Sequence, residues 1–186
     1  MARLSSFMTV SLDGYFADAN GDMRWAHNAD PEFNEFVAGN ARGGGVLVFG
    51  RVTYQMMAGY WPSPPAAKND PVVAERMNAL PKVVFSRTLT EAPWHNTKLV
   101  TGDLLAEVRK LKDGSRDNMV ILGSGSLVKQ LAEAGLIDEL QIVVAPIALG
   151  DGKKYLGGIR ERLPLRLMTS RTFGNGSVFL RYEPRR

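Results

Sequence analysis

The stretch that decides the fold is ILGSGSLVKQLAEAGLIDELQIVVAPIALGDGKKYLGG, residues 121–158. It begins with a short apolar run, passes through a glycine-rich loop into an amphipathic segment, and enters a long apolar run at 139–149. A short, wholly apolar run is typical of a buried parallel strand, and Gly135 is a usual helix stop. The stretch therefore predicts a strand, a helix and a second strand, with Pro146 marking a bulge or an edge.

The same alternation extends toward the start of the chain, where Asp30 and Pro31 fit the N-cap and first position of a helix. After residue 164, two strand-like runs flank the Gly-Asn-Gly of residues 174–176, which is a hairpin signal. The segment WPSPPAAKNDP at 61–71 is predicted to be a surface loop. Further strands are predicted at 3–10, 46–50, 82–86, 98–100 and 119–123, and helices at 31–42, 52–60, 71–80, 103–112 and 126–135.

These patterns predict one α/β domain over residues 1–186, with a mostly parallel central sheet and a C-terminal antiparallel hairpin. A chain of 186 residues with 45% hydrophobic and 23% charged residues is normal for such a domain. The absence of cysteine excludes disulfides, thiolate metal sites and a cysteine nucleophile. His27 and His95 lack partners at metal-ligand spacing, so no metal site is expected.

The chain shows neither a signal-peptide pattern nor an apolar run of the ~20 residues that span a bilayer. We therefore expect a soluble, cytoplasmic protein without a membrane partner. Its net charge of +4 would suit nucleic acid, a membrane surface or a small phosphorylated ligand. The basic segments 160–171 and 181–186 are not interleaved with aromatic residues as a single-strand-binding surface would be. The predicted partner is a phosphate-bearing small molecule, and nucleic acid is not expected to bind.

Three predicted strand-to-helix junctions carry residues that suit an anion. Open α/β sheets bind ligands at the carboxyl ends of their parallel strands, where unpaired N–H groups at helix starts favour negative charge. Each junction alone can also be an ordinary turn with capping or solvated residues, but three in one sheet favour a ligand with several phosphates. The junction residues are Gly50, Arg51 and Thr53; Ser86 and Arg87; and Gly123, Ser124, Gly125 and Ser126.

The pair Ser86-Arg87 suits a phosphomonoester such as the 2′-phosphate of NADPH. The segment LGSGSL has Val128 where a dinucleotide fingerprint has its third glycine, and it lacks the lysine of a P-loop. No GxSxG nucleophile elbow is present. Hydride transfer requires none of these motifs, because the nicotinamide carries the chemistry.

Asp13 follows the first predicted strand, and Gly14 allows a tight turn that places the carboxylate at the ligand-binding edge. There the carboxylate could orient a substrate and help to deliver a proton. Asp-Gly is also an ordinary turn pair, so a purely structural role is the alternative. Asp30 is the second candidate for the acid.

Four stretches together resemble a known family: SLDGYFAD (11–18), VFGRVTYQMM (48–57), VVFSRT (83–88) and residues 121–158. The chain resembles the dihydrofolate-reductase-like family that includes the reductase domain of the bifunctional riboflavin-biosynthesis deaminase/reductase. The resemblance implies a three-layer sandwich, NADPH as cofactor and a homodimer. It also implies a 5-amino-6-(5-phosphoribosylamino)uracil reductase-like activity on a small heterocyclic or ribosyl substrate. Without cysteine there is no zinc-deaminase half, so a stand-alone reductase domain is expected.

The resemblance also assigns roles to residues. Asp13 and Gly14 match the active-site loop after the first strand. Residues at the three junctions match the cofactor site: Gly50, Arg51 and Thr53 for the phosphates, Ser86 and Arg87 for the 2′-phosphate, and Gly123 to Leu127 for the pyrophosphate and nicotinamide half.

Two alternatives to this reductase remain. Trp25 and Asp30 have a spacing compatible with a true dihydrofolate reductase, in which Trp25 would contact the substrate, although Asp30 is also explained as a helix cap. A non-catalytic nucleotide-binding module is the other alternative. The homodimer is predicted to form through the strand at 139–149 and the terminal hairpin.

Overall fold

The computed structural model describes residues 1–26, 30–42 (backbone only at 41 and 42) and 45–185. His27 lies outside these ranges. The strands are β1 (Leu4–Ser11), β2 (Tyr15–Ala17), β3 (Val46–Gly50), β4 (Lys82–Phe85), β5 (Thr97–Val100), β6 (Met119–Leu122), β7 (Glu139–Ala145), β8 (Lys153–Lys154), β9 (Leu165–Thr172) and β10 (Val178–Pro184). The helices are α1 (Pro31–Arg42), α2 (Arg51–Tyr60), α3 (Pro64–Asn69), α4 (Pro71–Ala79), α5 (Leu104–Gly114) and α6 (Gly125–Glu133), with a 3₁₀ turn at Arg24–Ala26.

Eight strands form one sheet in the order β5-β4-β3-β6-β1-β7-β10-β9. The first six are mutually parallel, and β10 runs antiparallel to both β7 and β9. The structure thus confirms the predicted fold class, a mostly parallel sheet that ends in an antiparallel hairpin.

Helices cover both faces of the sheet because its strands are apolar on both sides. On one face, Val48 of β3 packs with Val108 of α5 and with Val128 and Leu131 of α6. On the other face, the neighbouring β3 residue Phe49 packs in the core that holds α2 and α4. A third cluster seats α1 on β7 and β10 through four buried residues: Phe33, Val143, Phe173 and Phe179. These layers form the predicted three-layer sandwich.

Three local predictions were wrong or incomplete. The predicted loop at 61–71 contains α3, whose N-cap Ser63 accepts a hydrogen bond from the N–H of Ala66. The predicted strand at 139–149 ends at Ala145, because Pro146 has no N–H to continue the ladder. Sequence analysis did not identify the small sheet of β2 and β8, which pair antiparallel. Such short strands are too brief to carry a periodic signal.

No helix within the described ranges is both long and apolar enough to cross a membrane. Over the same residues, no group of three or more His, Asp or Glu side chains is placed to hold a metal ion.

Candidate functional site

The candidate site lies where the chain changes faces at the carboxyl ends of two neighbouring strands, β3 and β6. The helix after β3 is α2, whose Tyr54 is buried on the same face as Phe49. The helix after β6 is α6, whose Leu127 is buried on the opposite face. Helices that leave adjacent strands toward opposite faces open a crevice between their starts, which is where open α/β sheets bind ligands.

The two predicted phosphate junctions interlock across this crevice. The N–H of Gly50 donates to Ser124 Oγ at 2.9 Å, and the N–H of Ser124 donates to Thr53 Oγ1 at 3.1 Å. A Cβ on Gly123, whose φ is +57°, would lie 3.1 Å from the methyl group of Thr53. A Cβ on Gly50 would lie 3.5 Å from Leu127. The structure therefore brings these predicted site residues together as one unit.

The start of α6 has backbone donors without a partner among the described residues. The N–H groups of Leu127 and Val128 both donate to the Ser124 carbonyl. The backbone of Ser124 is in the left-handed region, with φ +52°. Among the described residues, no hydrogen bond engages the N–H groups of Gly125 and Ser126. Free N–H groups and the positive end of the helix dipole together favour an anion.

Two exposed arginines follow the neighbouring strands β3 and β4, on one side of this start. Arg51 is exposed at the first position of α2 and donates to Gln55 Oε1 at 3.2 Å. Arg87 is exposed just after β4, the strand beside β3. Ser86 Oγ accepts from the N–H groups of Thr88 and Leu89, so its hydroxyl shapes the turn that presents Arg87. The cations can therefore serve separate phosphate groups of one extended ligand.

Asp13 lies at the same edge, after β1, and accepts several hydrogen bonds. Its carboxylate accepts from Ser11 Oγ at 2.6 Å, from the Gly150 N–H at 2.7 Å and from the Leu149 N–H at 3.1 Å. The Ser11 hydroxyl, with the Gly150 and Leu149 N–H groups, lowers the pKa of Asp13 to about 2. Gly14 has φ +87° and closes the tight turn with its N–H on the Ser11 carbonyl. A carboxylate held ionised in this way is poorly suited to donate a proton at neutral pH.

Asp30 and Trp25 occupy different surroundings. Asp30 caps α1, since its Oδ1 accepts from the Phe33 N–H at 2.7 Å. A Cβ on Gly174 would lie 3.6 Å from Asp30 Oδ2, which places Asp30 beside the hairpin turn between β9 and β10. This turn is at the ligand edge because β10 starts opposite the end of β7. Trp25 is half-buried, with its indole N–H on the Asp22 carbonyl at 3.0 Å.

Sequence reasoning missed three apolar residues at this edge. Leu12 is 73% exposed and Ile147 38% exposed, and they adjoin through a hydrogen bond from the Leu12 N–H to the Ile147 carbonyl. Phe16 packs against the start of α6, where a Cβ on Gly125 would lie 2.6 Å from the ring. Apolar residues after the predicted first strand were the available signal for Leu12 and Phe16, whereas Ile147 fell inside the predicted strand at 139–149. They give the site an apolar side that suits a flat ring.

Two open depressions lie at the opposite edge of the sheet, where the parallel strands begin. One lies around Lys82 and Trp94, and the other around Arg3 and Asp138. Neither contains a predicted site residue, and neither adjoins the helix starts that favour an anion. The crevice between α2 and α6 is therefore the better candidate.

The family follows from the match of residues 2–179 to the model of the RibD C-terminal domain. The chain belongs to this family, whose fold is dihydrofolate-reductase-like. Among curated proteins it is similar to the uncharacterized protein YyaP of Bacillus subtilis (strain 168), at 27% identity over 182 residues. That alignment covers 97% of this chain and 94% of YyaP.

Solved structures agree with this membership. A putative riboflavin biosynthesis protein from Shewanella sp. PV-4 has a TM-score of 0.76 and 27% identity, with both chains fully covered. The deaminase/5-amino-6-(5-phosphoribosylamino)uracil reductase of Thermotoga maritima has a TM-score of 0.71 and 14% identity, covering 99% of this chain and 57% of that one. Dihydrofolate reductase from Enterococcus faecalis, complexed with NADP(H), has a TM-score of 0.65 and 14% identity, covering 99% and 97%. The last two show a shared fold.

Proposed function

We propose that this protein is an NADPH-dependent reductase that transfers a hydride to a small heterocyclic or ribosyl substrate, as 5-amino-6-(5-phosphoribosylamino)uracil reductase does. The observation that carries the proposal is the interlocked pair of helix starts, at which the N–H groups of Gly125 and Ser126 have no partner among the described residues. Exposed Arg51 and Arg87 follow the two neighbouring strands, β3 and β4. Membership of the RibD C-terminal domain family supports it.

The residues present fit the cofactor. Gly123 and Gly125 allow Thr53 and the Phe16 ring to pack closely against the α6 start. The pyrophosphate would be held by the N–H groups of that start, with Ser124, Ser126 and Leu127 around it. Arg51 and Thr53, with Gly50, would hold phosphate at the α2 start. Ser86 and Arg87 would receive the 2′-phosphate. Bound NADPH would supply the hydride, while the protein supplies position and electrostatics.

The substrate would lie beside the loop after β1. Leu12, Ile147 and Trp25 would contact a flat ring, and the turn at Asp13 and Gly14 would orient it. The proton that completes the reduction would come from Asp30, either directly or through water. Asp13 is the less suitable donor, since its oxygens already accept hydrogen bonds that favour the ionised form.

Dihydrofolate is the second candidate substrate, because half-buried Asp30 lies at the ligand edge and Trp25 precedes it at a compatible spacing. Against it, residues 2–179 match the RibD C-terminal domain. A non-catalytic nucleotide-binding module would keep the paired starts of α2 and α6, which we call the cradle, and would lack turnover.

Cofactor titration followed by substrate trials tests the proposal. Binding of NADPH and NADH is measured by fluorescence, and NADPH oxidation is then followed with a ribosylaminopyrimidine phosphate and with dihydrofolate. We expect NADPH to bind more tightly and to be oxidised with the first substrate. Binding without oxidation of NADPH by any substrate would identify the non-catalytic module, and absence of binding would refute the cofactor assignment.

A further inference from the structure

Two segments at the ligand edge are joined to each other along their length. Residues 12–17 follow β1, residues 147–155 follow β7, and together we call them the flap. The Leu12 N–H donates to the Ile147 carbonyl at 2.7 Å, and the Tyr155 N–H donates to the Gly14 carbonyl at 2.9 Å. Strands β2 and β8 continue the pairing. The two segments are therefore expected to move as one body.

Asp13 is at the centre of the flap. Its carboxylate holds the N–H groups of Leu149 and Gly150 on one side and the hydroxyl of Ser11 on the other. The same Ser11 hydroxyl oxygen accepts from the Tyr15 N–H at 2.9 Å. A continuous chain of hydrogen bonds thus runs from the turn at 149–150, through Asp13, to the backbone that carries Phe16.

Phe16 transmits this geometry to the helix start. A Cβ on Gly125 would lie 2.6 Å and 3.0 Å from two atoms of the Phe16 ring, so the ring lies directly against the first residue of α6. The N–H of this residue is one of the two that have no partner among the described residues. An apolar ring beside these donors excludes water and strengthens their attraction for an anion.

We propose that Asp13 is a positioning residue, which holds the flap so that Phe16 sets the shape of the anion cradle at the α6 start. The proposal rests on the proposed function in taking NADPH as the ligand of that cradle. Asp13 acts on the cofactor through Phe16 and donates no proton. Since its acceptor oxygens are occupied by donors of the protein itself, neutralising the carboxylate would loosen the flap.

The first test is Asp13→Asn, with Asp113→Asn, an exposed residue of α5, as the matched control. The asparagine amide keeps one acceptor oxygen and turns an NH₂ group toward the flap donors. Without cofactor, we expect faster amide hydrogen exchange at Leu149, Gly150 and Ser124, whose N–H groups are hydrogen-bonded in the parent. With cofactor, we expect the KM and Kd for NADPH to rise ~10-fold, as for one weakened charge-assisted bond, with the change in KM exceeding that in kcat.

The second test is a double-mutant cycle between Asp13 and Phe16. If Asp13 acts through the ring, Phe16→Ala raises the Kd for NADPH, and adding Asp13→Asn to it has little further effect. Gly125→Ala provides an independent check, because the added methyl group collides with the ring in the parent and has room in Phe16→Ala. Ser11→Ala breaks the same chain of hydrogen bonds and replaces Asp13→Asn if that variant does not fold.

The outcomes separate this proposal from the proposed function. Additive effects of Asp13→Asn and Phe16→Ala, or unchanged exchange at Ser124 in Asp13→Asn, would overturn the positioning role. A ~100-fold loss of kcat with unchanged Kd would instead identify Asp13 as the acid. If the parent protein fails to bind NADPH, the proposed function fails, and exchange at Ser124 still decides whether Asp13 controls the α6 start.

Discussion

Ser124 and Thr53 join the two helices that bind opposite faces of the sheet, through a hydrogen bond of 3.1 Å from the Ser124 N–H to the Thr53 hydroxyl. Ser124 is the N-cap of α6, and Thr53 is in the first turn of α2. Thr53 therefore connects the two halves of the candidate cradle.

Replacing Thr53 by Val should weaken both the fold and the cradle. The substitution keeps the branched shape and leaves the nearly buried Ser124 N–H without its acceptor, so we expect a loss of about 1–2 kcal/mol in the free energy of unfolding. NADPH affinity should fall as well, because the α6 start is no longer tied to α2. Denaturant melts and cofactor titrations measure both, with exposed Thr90→Val as the control. An unchanged NADPH affinity in Thr53→Val would show that cofactor binding does not require the hydrogen bond between the two helix starts.

Arg87→Ala should remove most of the preference for NADPH over NADH. A charge-assisted contact contributes about 1.5–3 kcal/mol, so the ratio of the two dissociation constants should fall by roughly 10- to 150-fold, with NADH affinity almost unchanged. Arg116→Ala, an exposed arginine after α5, is the control. Equal affinity of the parent protein for both cofactors would show that no 2′-phosphate contact exists.

The variant Asp30→Asn distinguishes a role of Asp30 as the acid from its role as a helix cap. Asparagine caps helices about as well as aspartate, so the melting temperature should stay close to that of the parent. An amide cannot deliver the proton, and turnover should fall at least ~100-fold. Steady-state kinetics measures the turnover, and thermal melts measure the stability, of the same variant. Full turnover would leave Asp30 as a cap alone and assign the proton to a bound water.

The homodimer should form through β9. In the structure β7 lies between β1 and β10, so the open edge of the hairpin is β9, where Leu167 is 51% and Met168 41% exposed. An exposed apolar edge strand readily pairs with a copy of itself about a two-fold axis. Light scattering of the parent should give twice the chain mass of 20.4 kDa. The Leu167→Lys variant should give the mass of a single chain. A parent protein that stays monomeric over a wide concentration range, or a dimer lost equally in Val72→Lys on α4, would contradict this interface.

Lys82 should be a stability residue with a pH signature. Its side chain is 1% exposed, donates to the carbonyls of Met77, Asn78 and Leu80, and lies over the ring of Trp94. Lys82→Met leaves those helix-end carbonyls unpaired, and we expect a loss of about 2–4 kcal/mol in the free energy of unfolding at pH 7. Exposed Lys98→Met is the control.

The pH dependence gives a second measurement of the same residue. Burial lowers the pKa of Lys82 to about 8, below the ordinary value of 10.5 that the unfolded chain retains. Between these values the unfolded state binds more protons, so the contribution of Lys82 to stability rises with pH. Denaturant melts from pH 8 to 10.5 should show this rise in the parent and its absence in Lys82→Met. Parallel curves for the two proteins would contradict the shifted pKa.

The parts of the fold that sequence analysis predicted are those with strong local signals. The helix at 31–42 has a capping Asp30 and a proline at its first position, and the strand at 46–50 is apolar throughout, so both bounds agree with the structure. Helix α3 was missed because its Pro-rich start was interpreted as a loop, although Ser63 followed by two prolines is also a helix-start pattern.

The candidate site was predictable in its location and not in its contacts. Parallel strands bring the ends of β3 and β6 to one edge, so Gly50 and Gly123 could be expected at that edge. The strand order that makes them neighbours was not predicted. The hydrogen bonds from the Leu149 and Gly150 N–H groups to Asp13 join residues far apart in the chain, and no local pattern indicates them. The contact of Phe16 with Gly125 depends in the same way on tertiary packing.

The position of β1 in the sheet has a consequence for how the chain is made. Leu4 pairs with Met119 and Ser5 with Glu139, so both neighbours of this strand are synthesised long after it. The nascent protein therefore carries an alternating apolar strand without a partner through most of translation, because non-local parallel pairing waits for the distant segments. The central part of the sheet is therefore expected to assemble only after residue 145 has left the ribosome.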